Sequence, residues 1–181
     1  VEGNSAAANA DPLVYDMMAA FYTACSSFIA QNFGARKKKR ILQTYLICLF
    51  YSFITSLVLG VGIYLARYPF LYLFTSDKAV VEAGITRLSI MALSYSASAF
   101  MDASIAASRG LGKTAVPTFV VVMGSCVFRI IWIYTIFAYF HTIQSLYILY
   151  VFSWGITAIA ENIYFFHVYR HTLTGKTESH L

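Results

Sequence analysis

Residues 41–66 read ILQTYLICLFYSFITSLVLGVGIYLA, a run of 26 positions without a charged side chain. At about 1.5 Å per residue, a helix of this length extends about 39 Å, which exceeds the roughly 30 Å hydrocarbon core of a bilayer. The whole chain agrees with this interpretation, because 59% of its residues are hydrophobic and 12% are charged, against about 25% charged in soluble domains. The sequence therefore predicts an all-α integral membrane protein.

Four further apolar blocks accompany this run in the 181-residue chain. The five predicted transmembrane spans cover residues 13–33, 41–66, 84–108, 115–140 and 144–168. Between the second and third spans, YPFLYLFT is too short to cross a membrane, and its proline and aromatic residues favour a position at the interface. Residues 173–181 are predicted to form a polar cytoplasmic tail.

Basic residues predict the orientation of these spans. Five consecutive cations join the first two spans, namely Arg36, Lys37, Lys38, Lys39 and Arg40. The same side carries Arg109, Lys113, Arg170 and Lys176, whereas the opposite side carries Arg67, Lys78 and Arg87. Since cytoplasmic loops are enriched in lysine and arginine, we expect a multi-pass membrane protein with its carboxyl end in the cytoplasm.

The five-cation run also has an expected partner. A juxtamembrane basic segment attracts anionic lipid headgroups by about 1 kcal/mol per residue, so we expect these side chains to contact membrane lipids. A nucleic-acid partner is not expected, because the run is short and has a membrane span on each side.

Ionisable residues inside the predicted spans are the candidate functional residues, because such groups are costly in a bilayer and mark pathways or partners. They are Asp16, Asp102, Arg129 and Glu161. Counted from the cytoplasmic side, Asp102 and Glu161 share a depth of about 10–12 Å, whereas Arg129 and Asp16 lie about 21–27 Å deep. We interpret the three acids as candidate cation- or substrate-binding residues and Arg129 as the structural charge partner of an acid. The alternative for Asp102 is a helix–helix hydrogen bond or salt bridge without a transport role.

No metal site, cofactor or enzymatic activity is expected from the remaining chemistry-bearing residues. Cys25, Cys48 and Cys126 all fall in apolar blocks, with a spacing that matches no metal motif, so we predict that they are small buried residues. The four histidines show no metal-binding pairing. At the end of the first span, Gly34 is expected to permit the turn that follows.

Four segments, taken in order, carry a family resemblance. They are SSFIAQNFGARKKKR (26–40), LYLFTSD (71–77), SRGLGKTAVPT (108–118) and FRIIWIY (128–134). Their order and spacing resemble the second half of the MATE family of multidrug and toxic-compound extrusion transporters, from about residue 7 to about residue 172. The resemblance implies spans eight to twelve of a twelve-span protein with two six-helix lobes. The first lobe of the same protein is then expected upstream of Val1, as the odd number of spans and the lack of an initiator methionine also suggest.

The resemblance implies a function as well. In this family, inward flow of Na⁺ or H⁺ drives the export of small organic, often cationic, compounds. Each intramembrane acid could exchange H⁺, Na⁺ or a cationic substrate competitively. Two alternatives are a flippase of the wider superfamily that moves lipid-linked precursors, and a non-transporting membrane scaffold subunit.

Overall fold

A computed structural model describes residues 2–140 and 143–171, and these residues form helices and no strand. The helices are α1 (Glu2–Ala8), α2 (Ala10–Gly34), α3 (Lys38–Leu65), α4 (Arg67–Tyr72), α5 (Lys78–Gly110), α6 (Ala115–Val122), α7 (Phe128–Trp132), α8 (Ala138–Phe140) and α9 (Ile143–His171). Two π-helical turns, Met123–Val127 and Ile133–Phe137, separate α6, α7 and α8.

Four helical segments are long and apolar enough to cross a membrane: Ser5–Gly34, Lys38–Leu65, Ala115–Phe137 and Ser145–His171. A fifth is the bent helix α5, whose halves Lys78–Ala92 and Ser94–Gly110 meet at 45°. The predicted all-α membrane fold with about five spans is confirmed. The first and third membrane-crossing segments begin at Ser5 and Lys78, earlier than the predicted spans 13–33 and 84–108. The predicted tail at 173–181 lies outside the described residues.

Helix α5 occupies the centre of the bundle and packs against α1, α2, α3 and α9. Its approach to α3 depends on Gly60, where an added Cβ would lie 2.1 Å from the carbonyl oxygen of Ala92. Small residues permit such close backbone contact between membrane helices. The bend in α5 follows directly after this contact, and there the Ser94 hydroxyl donates to the Ile90 carbonyl at 2.7 Å. Serine side chains that bond back to the preceding turn favour helix bending.

The main core lies between α2, α3, α5 and α9. At its centre the Tyr45 hydroxyl on α3 is hydrogen-bonded to Ser104 of α5 at 2.9 Å and donates to the amide oxygen of Asn162 on α9. This hydroxyl therefore joins three helices at one point.

The fourth span, residues 115–140, lies at the edge of the bundle, where its π-helical turns and α6 pack mainly against α9. Among its described side chains, Pro117 alone is buried. Cys25 and Cys48 are buried as predicted, but Cys126 is exposed and its prediction was wrong. The reason is that an apolar block indicates membrane insertion, and a side chain that faces lipid needs no protein contact.

The basic hairpin between α2 and α3 differs from its prediction in two respects. The left-handed residue of the turn is Arg36, with φ of 55°, whereas Gly34 ends α2 with a negative φ. Lys38 is half-buried, since its amino group donates to the carbonyl of Arg170 at 3.1 Å and lies 5.2 Å from the ring centroid of Tyr169. The other four cations of the run are exposed.

Candidate functional site

A cavity of about 410 Å³ opens between α2, α5 and α9. Its lining is mainly aromatic and apolar, with two acids and one arginine among the polar groups. The lining residues are Asp11, Pro12, Val14, Tyr15, Met18, Tyr22, Arg87, Met91, Tyr95, Ser98, Met101, Asp102, Tyr150 and Trp154.

Helical periodicity brings these side chains to one place. On α5, Arg87, Met91, Tyr95, Ser98 and Asp102 recur every three or four residues, which places them on a single helix face. The lining residues of α2 recur in the same way, and those of α9 lie one turn apart. The cavity is therefore a groove between three facing helix stripes.

One end of the cavity is electrically balanced. The guanidinium of Arg87 forms an ion pair with the carboxylate of Asp11, and the Tyr95 hydroxyl donates to the other oxygen of that carboxylate at 2.6 Å. From the sequence, Arg87 is one of the cations of the side opposite the basic hairpin, and in the structure its side chain is buried inside the bundle. Asp11 was missed because it lies before the predicted start of the first span.

Asp102 lies toward the other end, seven residues beyond Tyr95 and thus about 10 Å further along the helix. Within the described residues its carboxylate forms no hydrogen bond or ion pair. The hydroxyl of Tyr22 is within electrostatic range, and Tyr150 and Trp154 complete the wall. An acid beside aromatic rings suits a cation with an apolar body, because ring faces attract cations and apolar walls bury the rest of the ligand.

Glu161 does not line this cavity. Its side chain is 0% exposed and neither carboxylate oxygen has a hydrogen-bond partner. Arg109 at the end of α5 is within electrostatic range of both Asp102 and Glu161. The two acids therefore share a level near the same end of the bundle, but the structure does not bring them into one site.

The other two predicted residues lie elsewhere. Asp16 is exposed on α2, away from the cavity lining. Arg129 stacks on the Tyr150 ring at 4.4 Å from its centroid, and its Nε donates to the Ser153 hydroxyl at 3.2 Å. No carboxylate of the described residues forms an ion pair with it, so its observed partners are an aromatic face and a hydroxyl.

A π-helical turn sits beside Arg129. There the Ser153 hydroxyl donates to the Gly124 carbonyl at 2.7 Å. An added Cβ at Gly124 would lie 1.9 Å from the Thr157 hydroxyl oxygen, so α9 packs directly on the backbone of this turn. Through Ser153 and Tyr150, the fourth span is thus connected to the cavity wall.

Comparison with known proteins decides the family. The MatE family model matches residues 1–135, about three quarters of the chain. The chain belongs to the MatE family. This membership and the apolar helices make it a multi-pass membrane protein.

The fold of this MatE chain is that of a solved MATE transporter. It is similar to the crystal structure of the Vibrio cholerae MATE transporter VcmN in the bent form, with a TM-score of 0.80 and 19% sequence identity. The match covers 93% of this chain and 39% of the transporter chain. No curated protein sequence matches it significantly.

Proposed function

We propose that this MatE chain is part of a cation-coupled antiporter that exports organic, drug-like compounds across the bacterial plasma membrane. The observation that carries the proposal is Asp102, an acid without an ion-pair partner in a cavity with aromatic walls. The binding site for an organic cation is the part of the cavity around this carboxylate.

The charge balance of the cavity favours a cationic substrate over a lipid phosphate. A flippase site for lipid-linked precursors needs cations that are available to phosphate groups. Arg87 is the one cation among the cavity-lining residues, and the Asp11 carboxylate already neutralises it. The Asp102 carboxylate has no such ion pair among the described residues, so the cavity favours a ligand with a positive charge.

Coupling follows from a negative linkage between the two cations. Binding of inward-moving Na⁺ or H⁺ lowers the affinity for the organic compound, and the organic compound lowers the affinity for the ion by the same factor. Alternating access then requires a second helical lobe opposite the cavity, which we propose is the amino-terminal lobe of the same protein. The proposed orientation places the Arg36–Arg40 run and the end of α9 in the cytoplasm.

The test is efflux by the complete protein with Asp102→Asn, in drug-sensitive cells and in proteoliposomes. Removing the charge removes the attraction for the cation, and we expect binding and efflux of an organic cation to fall about tenfold or more, equivalent to at least about 1.4 kcal/mol. The matched control is Glu82→Gln, which neutralises an exposed acid of the same helix and leaves efflux unchanged. Unaltered efflux by Asp102→Asn at equal expression would refute the site, and a loss of stability alone would support the scaffold alternative.

A further inference from the structure

Glu161 is a buried acid that the cavity does not use. It lies on the face of α9 that packs against α5, where Ala158, one turn earlier, contacts Met101 and Ile105. One turn later, Phe165 is fully buried in the main core. The carboxyl group therefore sits between two apolar contacts, with 0% exposure and no hydrogen-bond donor on either oxygen.

The charged and titratable groups around Glu161 do not compensate it at contact distance. From α5, Arg109 acts at a distance and its own side chain is exposed. Tyr164 lies on α9 itself and carries no positive charge. From α3, the Tyr45 hydroxyl already bonds Ser104 and the neighbouring Asn162. An ionised carboxylate taken out of water without partners costs several kcal/mol, so the neutral acid is the form that fits this environment.

We propose that Glu161 is a proton-binding site separate from the substrate cavity, and that it holds its proton while α5 and α9 are packed together. When the two helices separate, water reaches the carboxyl group, the O–H bond breaks, and the proton leaves to water as the carboxylate becomes hydrated. The residue after Glu161, Asn162, accepts the hydrogen bond from the Tyr45 hydroxyl. Separation of α9 from the bundle therefore also breaks this hydrogen bond.

A proton suits the site better than a metal cation. Hard cations require several oxygen ligands arranged around them, and the described residues contain no group of three or more histidine, cysteine, aspartate or glutamate side chains that could hold a metal ion. A proton requires only the carboxyl group. The proposed ligand of the site is therefore H⁺.

The first experiment does not depend on transport. The infrared spectrum of the purified complete protein at neutral pH should contain a C=O stretching band of a carboxylic acid. Its frequency should lie at the high end of the carboxylic-acid range, as expected for a group without hydrogen bonds. The band should disappear in Glu161→Gln and persist in Glu82→Gln. Its absence from the unsubstituted protein would overturn the proposal.

A stability measurement keeps the proposal testable if spectra overlap. Glutamine replaces a neutral acid with a neutral amide, so Glu161→Gln should shift the unfolding midpoint no more than Glu82→Gln does. A strong loss of folded protein for Glu161→Gln, with none for Glu82→Gln, would contradict the neutral form assigned to Glu161.

The consequence for coupling rests on the proposed antiporter function. Glu161→Gln should retain binding of the organic cation, because Asp102 is intact, while efflux driven by a proton gradient falls at least about tenfold. Retained proton-driven efflux would overturn the role of Glu161 in coupling. If Asp102→Asn also leaves efflux unchanged, the proposed function fails, but the infrared result still decides the protonation of Glu161.

Discussion

At the scale of single residues, the cavity divides its charges into a balanced end and an unbalanced end. Arg87 and Tyr95 both bond the Asp11 carboxylate, and the ion pair leaves no net charge. Asp102 has no such partner in the described part of the chain. A ligand therefore encounters one position where a cation is attracted and another where polar groups are already bonded.

The balanced end should be sensitive to the loss of one partner. Arg87→Met leaves the Asp11 carboxylate without its cation, and we expect the free energy of unfolding to fall by about 2 kcal/mol. This is below the roughly 3–5 kcal/mol found for fully buried pairs, because the Asp11 side chain is 36% exposed and that of Arg87 is 10% exposed. Denaturant unfolding in detergent measures the change.

The control for this prediction is the double variant Arg87→Met with Asp11→Leu. It removes both charges, so it should recover much of the stability that Arg87→Met loses. If the double variant is no more stable than the single one, the ion pair is not the source of the loss.

Part of this residue-scale picture was predictable from the sequence. Asp102 and Glu161 were found because charges stand out within apolar blocks, and Glu161 is indeed deeply buried. Asp11 and Arg87 lie near span ends, where charges are common, so hydropathy does not distinguish a buried pair there from two hydrated side chains. The spacing of three or four residues that relates Arg87, Met91, Tyr95, Ser98 and Asp102 was the signal that could have indicated a common face.

At the scale of helices, the contact between α3 and α5 depends on the absence of a side chain at Gly60. In Gly60→Ala the new methyl group meets the Ala92 carbonyl at 2.1 Å, and backbone cannot move aside as a flexible side chain can. We expect a loss of about 1–3 kcal/mol, seen as a lower unfolding temperature in detergent.

Gly62 provides the matched control for this substitution, because it lies on the same helix and an added Cβ there meets nothing within 4 Å. Gly62→Ala should raise stability by up to about 1 kcal/mol through helix propensity alone. Equal effects of the two substitutions would contradict the close contact at Gly60.

The helix positions were largely predictable, whereas the internal shape of the helices was not. Five apolar blocks predict five spans, but nothing in the block at 115–140 indicates two π-helical turns on either side of α7. Likewise, the 45° bend of α5 occurs without a proline. The first π-helical turn has a partner in another helix, since Ser153 donates to the Gly124 carbonyl. The bend of α5 lies next to its contact with Gly60 of α3, and a single sequence does not specify which helices meet.

At the scale of the whole molecule, orientation should depend on the exposed cations of the α2–α3 hairpin. Replacing Arg36, Lys37, Lys39 and Arg40 with glutamine removes the positive charge that, in the proposed orientation, retains this hairpin in the cytoplasm, while Lys38 keeps its contact with α9. We expect a larger fraction of molecules to insert in the opposite orientation. A reporter fused after His171 that is active only in the cytoplasm measures that fraction.

Glutamine at Arg67 and Lys78, two cations of the opposite side, serves as the comparison for this experiment. It should leave the reporter signal unchanged. If neither set of substitutions alters the signal, the cations of this hairpin do not determine orientation.

The bond between Lys38 and the Arg170 carbonyl has a consequence for synthesis, because its two partners are 132 residues apart in the chain. At about 5–20 residues per second, the ribosome needs roughly 7 to 26 s to make the second partner after the first. During that interval the Lys38 amino group lacks its Arg170 partner. The bond that joins the hairpin to α9 therefore forms only after residue 170 has been made, late in the synthesis of the bundle.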